Sequence, residues 1–224
     1  MGYLLILVAF LVQVNAWGFT KNDQKILDKK APNIKFSEFK SFGEFNSFLR
    51  LCVDFDIPCG IEYRSNTDSL PHLVDEGPPI QGGSVRANLK AVVAQNLGYR
   101  WFVTKGVVNL VPREVLEDRL KYSSPLDRII GTIDVVDMSA DGAVFAIFQQ
   151  ARLRCRELSS SIDDLHHLRQ TGHRSRTVTI HLSNISLREA LNEVVRKDGH
   201  SVWGFYSTRS GEHVVGLVAH GELP

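Results

Sequence analysis

The chain has 224 residues, 43% of them hydrophobic and 23% charged, with a formal net charge of +1. That composition excludes a disordered chain and allows one large or two small domains. The near balance of charge, with no basic stripe, argues against a protein that tracks a phosphate backbone.

In chain order, the first signal is the opening "MGYLLILVAFLVQVNAWGF". Residues 3–14 form an uncharged apolar run, and "VNA", ending at Ala16, has the small-x-small form of a peptidase site. The run is too short for a hydrocarbon layer of about 30 Å, so it reads as a signal peptide over 1–16, cleaved on export. Residues 17–31 follow as an N-terminal extension. "NIKFSEF" (33–39) reads as a strand. "SFGEFNSFLRLCVDF" (41–55) reads as a helix opened by a capping box from Ser41 to Glu44, with Phe45, Phe48, Leu49 and Cys52 on its apolar face. "CGIEY" (59–63) is a strand, followed by a loop through Gly77, Pro78 and Pro79.

Next comes "SVRANLKAVVAQNLGYRW" (84–101), and 102 residues later "SLREALNEVVRKDGHSVW" (186–203) has nearly the same form. Ser84 matches Ser186, Arg86 matches Arg188, Leu89 matches Leu191, and Trp101 matches Trp203. Such self-similarity marks a duplicated unit. Ser186 with Glu189 forms a capping box, and Leu187, Ala190, Leu191, Val194 and Val195 make one apolar stripe. Gly98 and Gly199 are placed to end the two helices in the left-handed conformation. The following strands match as well: "VVNLVP" (107–112) and "VVGLVA" (214–219). Between the copies, "REVLEDRLKYSSPLD" (113–127) reads as a joint with a short helix ending near Pro125. "GTIDVVDMS" (131–139) is a strand, "DGAVFAIFQQARLRC" (141–155) a helix buried through Val144, Ile147, Phe148 and Ala151, and "ELSSSI" (157–162) a short strand. "TVTIHLS" (177–183) alternates as a half-buried strand, and the last two strands form a hairpin with Gly211 in the turn.

The fold class is therefore α+β: two tandem βαββαββ modules, residues 32–112 and 128–224, with helices packed on small sheets. The element order and "NISLREAL" (184–191) resemble the secretin and TonB short N-terminal domain family, over 177–219 and more loosely over 80–112. The resemblance implies a bacterial periplasmic location and a non-enzymatic protein-interaction module, with partners among outer-membrane secretion or TonB-type components. It supplies no catalytic residues. The chain departs from the family pattern in carrying no barrel-forming region after the modules.

Read residue by residue, the expectation is an exported, non-catalytic adaptor that needs no cofactor and binds no nucleic acid. Val107, Val108, Leu110, Val214, Val215 and Leu217, on the last strand of each module, are the candidates for a partner strand added to a sheet edge. Trp101 and Trp203 are either core residues or amphipathic anchors. The alternatives are a secreted metal- or thiol-dependent enzyme and an inhibitor of an extracellular hydrolase using the 77–83 loop. Seven of the eight histidines lie beyond residue 160, and His166, His167 and His173 are of metal-ligating type. Two of them are adjacent, however, which does not match the i, i+4 spacing of a helical pair, so no metal site is assigned. Among the three cysteines, Cys52 and Cys59 either pair in an oxidising compartment or serve as small buried apolar side chains.

Overall fold

The computed structural model describes residues 20–31, 46–64, 82–118, 123–154, 156–157, 177–199, 201–208 and 210–219. The signal peptide, the 33–39 strand, the Ser41–Glu44 box, Phe45, residues 77–81 of the loop, Cys155, His166, His167 and His173 lie outside them. Among the described residues, no helix is long and apolar enough to cross a membrane.

The first half contains α1 (Lys21–Leu27), β1 (Lys30–Ala31), α2 (Asn46–Asp54), β2 (Cys59–Arg64), β3 (Gly83–Ser84), α3 (Val85–Gln95), β4 (Tyr99–Thr104), β5 (Val107–Pro112) and α4 (Arg113–Glu117). The second contains a 3₁₀ turn (Pro125–Asp127), β6 (Ile129–Ser139), α5 (Ala140–Gln150), β7 (Arg156–Glu157), β8 (Thr177–Ser186), α6 (Leu187–Asp198), β9 (Ser201–Ser207) and β10 (His213–Ala219). The chain is thus α+β. Helix α1 falls in what the sequence reads as an extension; Thr20 caps it and Asp23 closes a capping box. Of the joint, only α4 and the 3₁₀ turn are helical among the described residues.

Local chemistry places the matched helices. Ser84 caps α3 by accepting from the Ala87 N–H, and Ser186 caps α6 by accepting from the Glu189 N–H while the Glu189 carboxylate reaches back. Gly199 ends α6 with φ 76°, as its lack of a Cβ allows. Gly98 does not do the same for α3. That helix ends earlier, at Asn96 with φ −117°, whose side chain donates to the Val92 carbonyl and takes up the loose end.

Six strands form one mixed sheet in the order β4-β5-β2-β9-β10-β7, and two ribbons, β1-β3 and β6-β8, stand apart from it. The separate small sheets expected for each module are therefore fused through β2 and β9. These run parallel from Cys59 opposite Val202 to Arg64 opposite Ser207. Side chains alternate across a strand, and the two apolar cores follow that alternation. Val103, Val108, Leu110, Ile61 and Val202 pack with α2 and α3 in one core. Val107, Trp203, Phe205 and Val215 pack with α5, α6 and the β6-β8 ribbon in the other. The first half's helices thus cover one face of the sheet and the second half's cover the opposite face. In α6, Leu187, Ala190, Leu191, Val194 and Val195 are wholly buried, which contributes on the order of 10 kcal/mol gross.

Cys52 and Cys59 form a disulfide that ties α2 to β2, with Cα atoms 6.1 Å apart. It closes a short loop, so replacing both cysteines by alanine is expected to cost about 2–3 kcal/mol on the chain-entropy argument. Denaturation with and without reductant checks this: reductant should lower the stability of the native chain and leave the double variant unchanged.

Candidate functional site: the seam between the halves

The sites proposed from sequence are where the structure departs most from expectation. β5 lies between β4 and β2 and is not an edge strand; β10 lies between β9 and β7, with β7 covering it only at Val214 and Val215. Val107, Val108, Leu110, Val214 and Val215 are buried, and Leu217 packs on the second core. Val107, Val108, Leu110, Val214 and Val215 are therefore closed to a partner as the fold stands, while Leu217 is only partly covered. Trp203 is wholly buried, and Trp101 packs half-buried on the first core. The two tryptophans do share a register, Trp101 opposite Leu110 and Trp203 opposite Leu217.

What the fold brings together instead is a polar cluster on the second-core side of the β2–β9 pairing. Glu62 on β2 is 1% exposed and Arg188 on α6 is 5% exposed. Arg188 Nη2 donates to Glu62 Oε2 at 2.5 Å and its Nε to Asp127 Oδ1 at 3.0 Å. Ser124 Oγ, buried at the N-cap of the 3₁₀ turn, donates to Glu62 Oε1 at 2.7 Å. The pair thus joins β2 of the first half to α6 of the second, with the link between the halves folded over it. Arg188 Nη1 is buried without a hydrogen-bond partner among the described residues. Charge placed this deep is held by its partner and by hydrogen bonds; without them its desolvation would dominate.

One further contact locks the same seam, and the second half's own contacts hold it in place. The indole of Trp203 lies directly over Gly60, where a Cβ would come within 1.9 Å of the ring. The Trp203 Nε1 donates to Asn192 Oδ1 at 2.8 Å. His213, beside the ring of Phe205, pairs through Nδ1 with Ser207 Oγ at 3.0 Å. Burial pushes its pKa down, and the nearby Glu62 charge partly opposes that.

Another contact between the halves is made by the β4–β5 turn, where Lys105 Nζ reaches Glu189 Oε1 at 3.4 Å. Within the first half, the Gly106 N–H of the same turn donates to Asp23 Oδ1 at 2.7 Å. Burial pushes the Glu189 carboxyl up, but the Ser186 N–H and hydroxyl and the Lys105 ammonium outweigh it, and its pKa lies below the ordinary value. A carboxylate so depressed adds stability above its unfolded pKa and loses it as pH falls through the folded value. Glu189→Gln is therefore expected to cost about 0.5–1 kcal/mol at neutral pH. The two unfolding curves should converge below about pH 4; parallel curves at every pH would contradict the assignment.

Among the described residues, no three His, Cys, Asp or Glu side chains are grouped to hold a metal ion. No protein-family model, curated protein or solved structure matches this chain. The sequence reading missed Glu62, Asp127, Asn192 and Gly60. One signal pointed to Asp127: "LDKK" (27–30) and "LDRI" (126–129) share a Leu-Asp-basic phrase.

Proposed function

We propose that the chain is an exported, non-catalytic protein-interaction module, an adaptor in an envelope secretion or TonB-type system, built from two copies of a βαββαββ unit. Equivalent pairings in the two halves support the duplication. Lys30 lies opposite Ser84 as Ile129 lies opposite Ser186. The Val85 N–H donates to the Lys29 carbonyl as the Leu187 N–H donates to that of Arg128. Arg86 approaches Asp28 at 3.9 Å as Arg188 meets Asp127 at 3.0 Å. In each half a parallel pair, β2–β5 or β7–β10, sits beside an antiparallel one, β4–β5 or β9–β10. On this reading each unit begins earlier than the sequence alone implies, at the capped turn before its Leu-Asp phrase.

The observation that carries the reading is the β2–β9 pairing. One unit already recognises the other by laying strand on strand and burying a Glu–Arg pair across the junction, the mode by which such a module would engage further partners. The exposed apolar side chains Val136, Met138 and Phe145 mark where to look for contact.

The test is made in the cells that produce the protein. A photo-crosslinker at Met138 or Phe145 should give adducts with an outer-membrane secretion or TonB-type component, and the mature chain should begin at Trp17. A chain retained in the cytosol with Met1 in place, giving no envelope adduct, would overturn the reading.

A further inference from the structure

Among the described residues, β6 pairs with β8 on one side and has no strand on the other. Successive residues of an antiparallel strand turn their N–H and C=O groups alternately toward and away from the neighbour. At Asp134, opposite His181, both groups point away from β8 and are met by the last residue of α5. The Asp134 N–H donates to Gln150 Oε1 at 3.1 Å, and Gln150 Nε2 donates to the Asp134 carbonyl at 3.0 Å. One carboxamide thus makes the two bonds that a residue of an added antiparallel strand would make. Thr132, opposite Ser183, is two residues back and faces the same side. Thr132, Asp134 and Gln150 are all exposed, so this edge lies in solvent and not under the core. Just beyond it the pairing to β8 is interrupted by a bulge at Val136 and Asp137. Val136, Met138 and Phe145 are 58%, 40% and 46% exposed there.

We propose that the outer edge of β6 docks an extended, basic segment of a partner polypeptide, and that Gln150 caps this edge until the segment displaces its amide. The cap identifies the backbone of the occupant: a peptide unit is the group that repeats its paired donor and acceptor along an edge. The charges decide the side chains. Residues 129–150 carry Asp134, Asp137 and Asp141, all exposed, and no Lys or Arg. His181 Nδ1 meets Asp134 Oδ1 at 2.5 Å, and the Thr177 hydroxyl donates to Asp137 Oδ1 at 3.1 Å. Thr177 adds no charge, and His181 offsets at most one of the three carboxylates. An acidic segment or a nucleic acid is therefore repelled, and a segment that alternates cations with apolar residues gains attraction along the edge and contact with Val136 and Met138. An exposed edge strand invites indiscriminate pairing. A side-chain cap blocks it reversibly, where a covering strand would close it for good. That the segment belongs to an envelope partner rests on the adaptor function proposed above; the chemistry of the edge does not.

The experiment titrates the full chain with the peptide acetyl-Lys-Val-Thr-Val-Lys-amide, following the backbone N–H signals of Thr132 and Asp134 by NMR. Both should shift saturably. The same peptide with every backbone nitrogen methylated has no N–H to donate and should leave them in place. Replacing its two lysines by glutamates should weaken binding, most of all at low salt. Gln150→Ala removes an exposed side chain and should tighten binding of the lysine peptide about tenfold, the order set by one net hydrogen bond. No saturable shift at Thr132 and Asp134, equal binding of the methylated or the acidic peptide, or an unchanged affinity in Gln150→Ala overturns the proposal. Dimerisation of Gln150→Ala without peptide overturns it too, because the occupant would then be a second copy of the chain. The crosslinking test reports on the adaptor function whatever the peptide does, so the two readings can fail separately.

Discussion

Arg188→Ala should destabilise the chain by about 3–5 kcal/mol, the range for removing one partner of a buried ion pair. Glu62, 1% exposed, would lose the guanidinium that pairs with it inside the seam. Glu62→Ala should cost less, because Arg188 keeps Asp127, whose side chain is 40% exposed and can draw water to the pair. Replacing both, as Glu62→Leu with Arg188→Met, should recover most of the loss, since a well-packed apolar pair avoids the desolvation of two charges. Denaturant unfolding compares these proteins, and adding Glu62→Leu and Arg188→Met as single variants closes a double-mutant cycle with the wild-type chain. A loss below about 1 kcal/mol for Arg188→Ala, the level of a surface pair, would show that the pair does not hold the seam. The Glu62 variants carry a second readout. His213 is already pushed down by burial, and Glu62 is the charge that opposes it. A histidine with a depressed folded pKa adds stability above its unfolded pKa, about 6.5, and loses it as pH falls through the folded value. Removing Glu62 lowers that value further, so the variant's stability should fall more steeply between neutral and mildly acidic pH.

The elements with their own local chemistry were legible in the sequence. Helix α6 carries its capping box, its five-residue stripe and its terminal glycine within one short window, and the β9–β10 hairpin carries Gly211 in its turn. The seam was not legible, because nothing local encodes a parallel pairing between residue 60 and residue 203. In "CGIEY", Glu62 reads as the polar member of a half-buried strand; it is buried only because Arg188 arrives from 126 positions away. "VVNLV" reads as a last strand and so as an edge, yet a continuous apolar run is the mark of a strand covered on both faces. The Leu-Asp-basic phrase was present twice but 99 residues apart. That spacing differs from the 102 residues that separate the matched helices, so in sequence the first turn of each unit reads as extension and joint.

Gly60→Ala tests the seam from its other side, and the sign of the effect decides. In a strand with open space above it, alanine is the better residue by about 0.5–1 kcal/mol, because glycine loses more backbone freedom on folding. At Gly60 the added Cβ would lie 1.9 Å from Trp203 Cε2, 2.1 Å from Cζ2 and 2.3 Å from Nε1. The ring cannot swing aside cheaply: it is wholly buried in the second core, and its Nε1 is held by Asn192. The strand cannot retreat either, since β2 is paired to β5 on one side and to β9 on the other. The variant should therefore be destabilised by about 3 kcal/mol, at or beyond the upper end of ordinary overpacking. Trp203→Leu alone should cost about 3–5 kcal/mol through the cavity it leaves. Adding Gly60→Ala to that variant should cost almost nothing further, because the obstructing ring is gone. Strong non-additivity of this kind is what direct contact produces. Additive losses, or a stabilised Gly60→Ala protein, would mean that β2 and β9 do not lie together as described, and the seam would lose its physical basis.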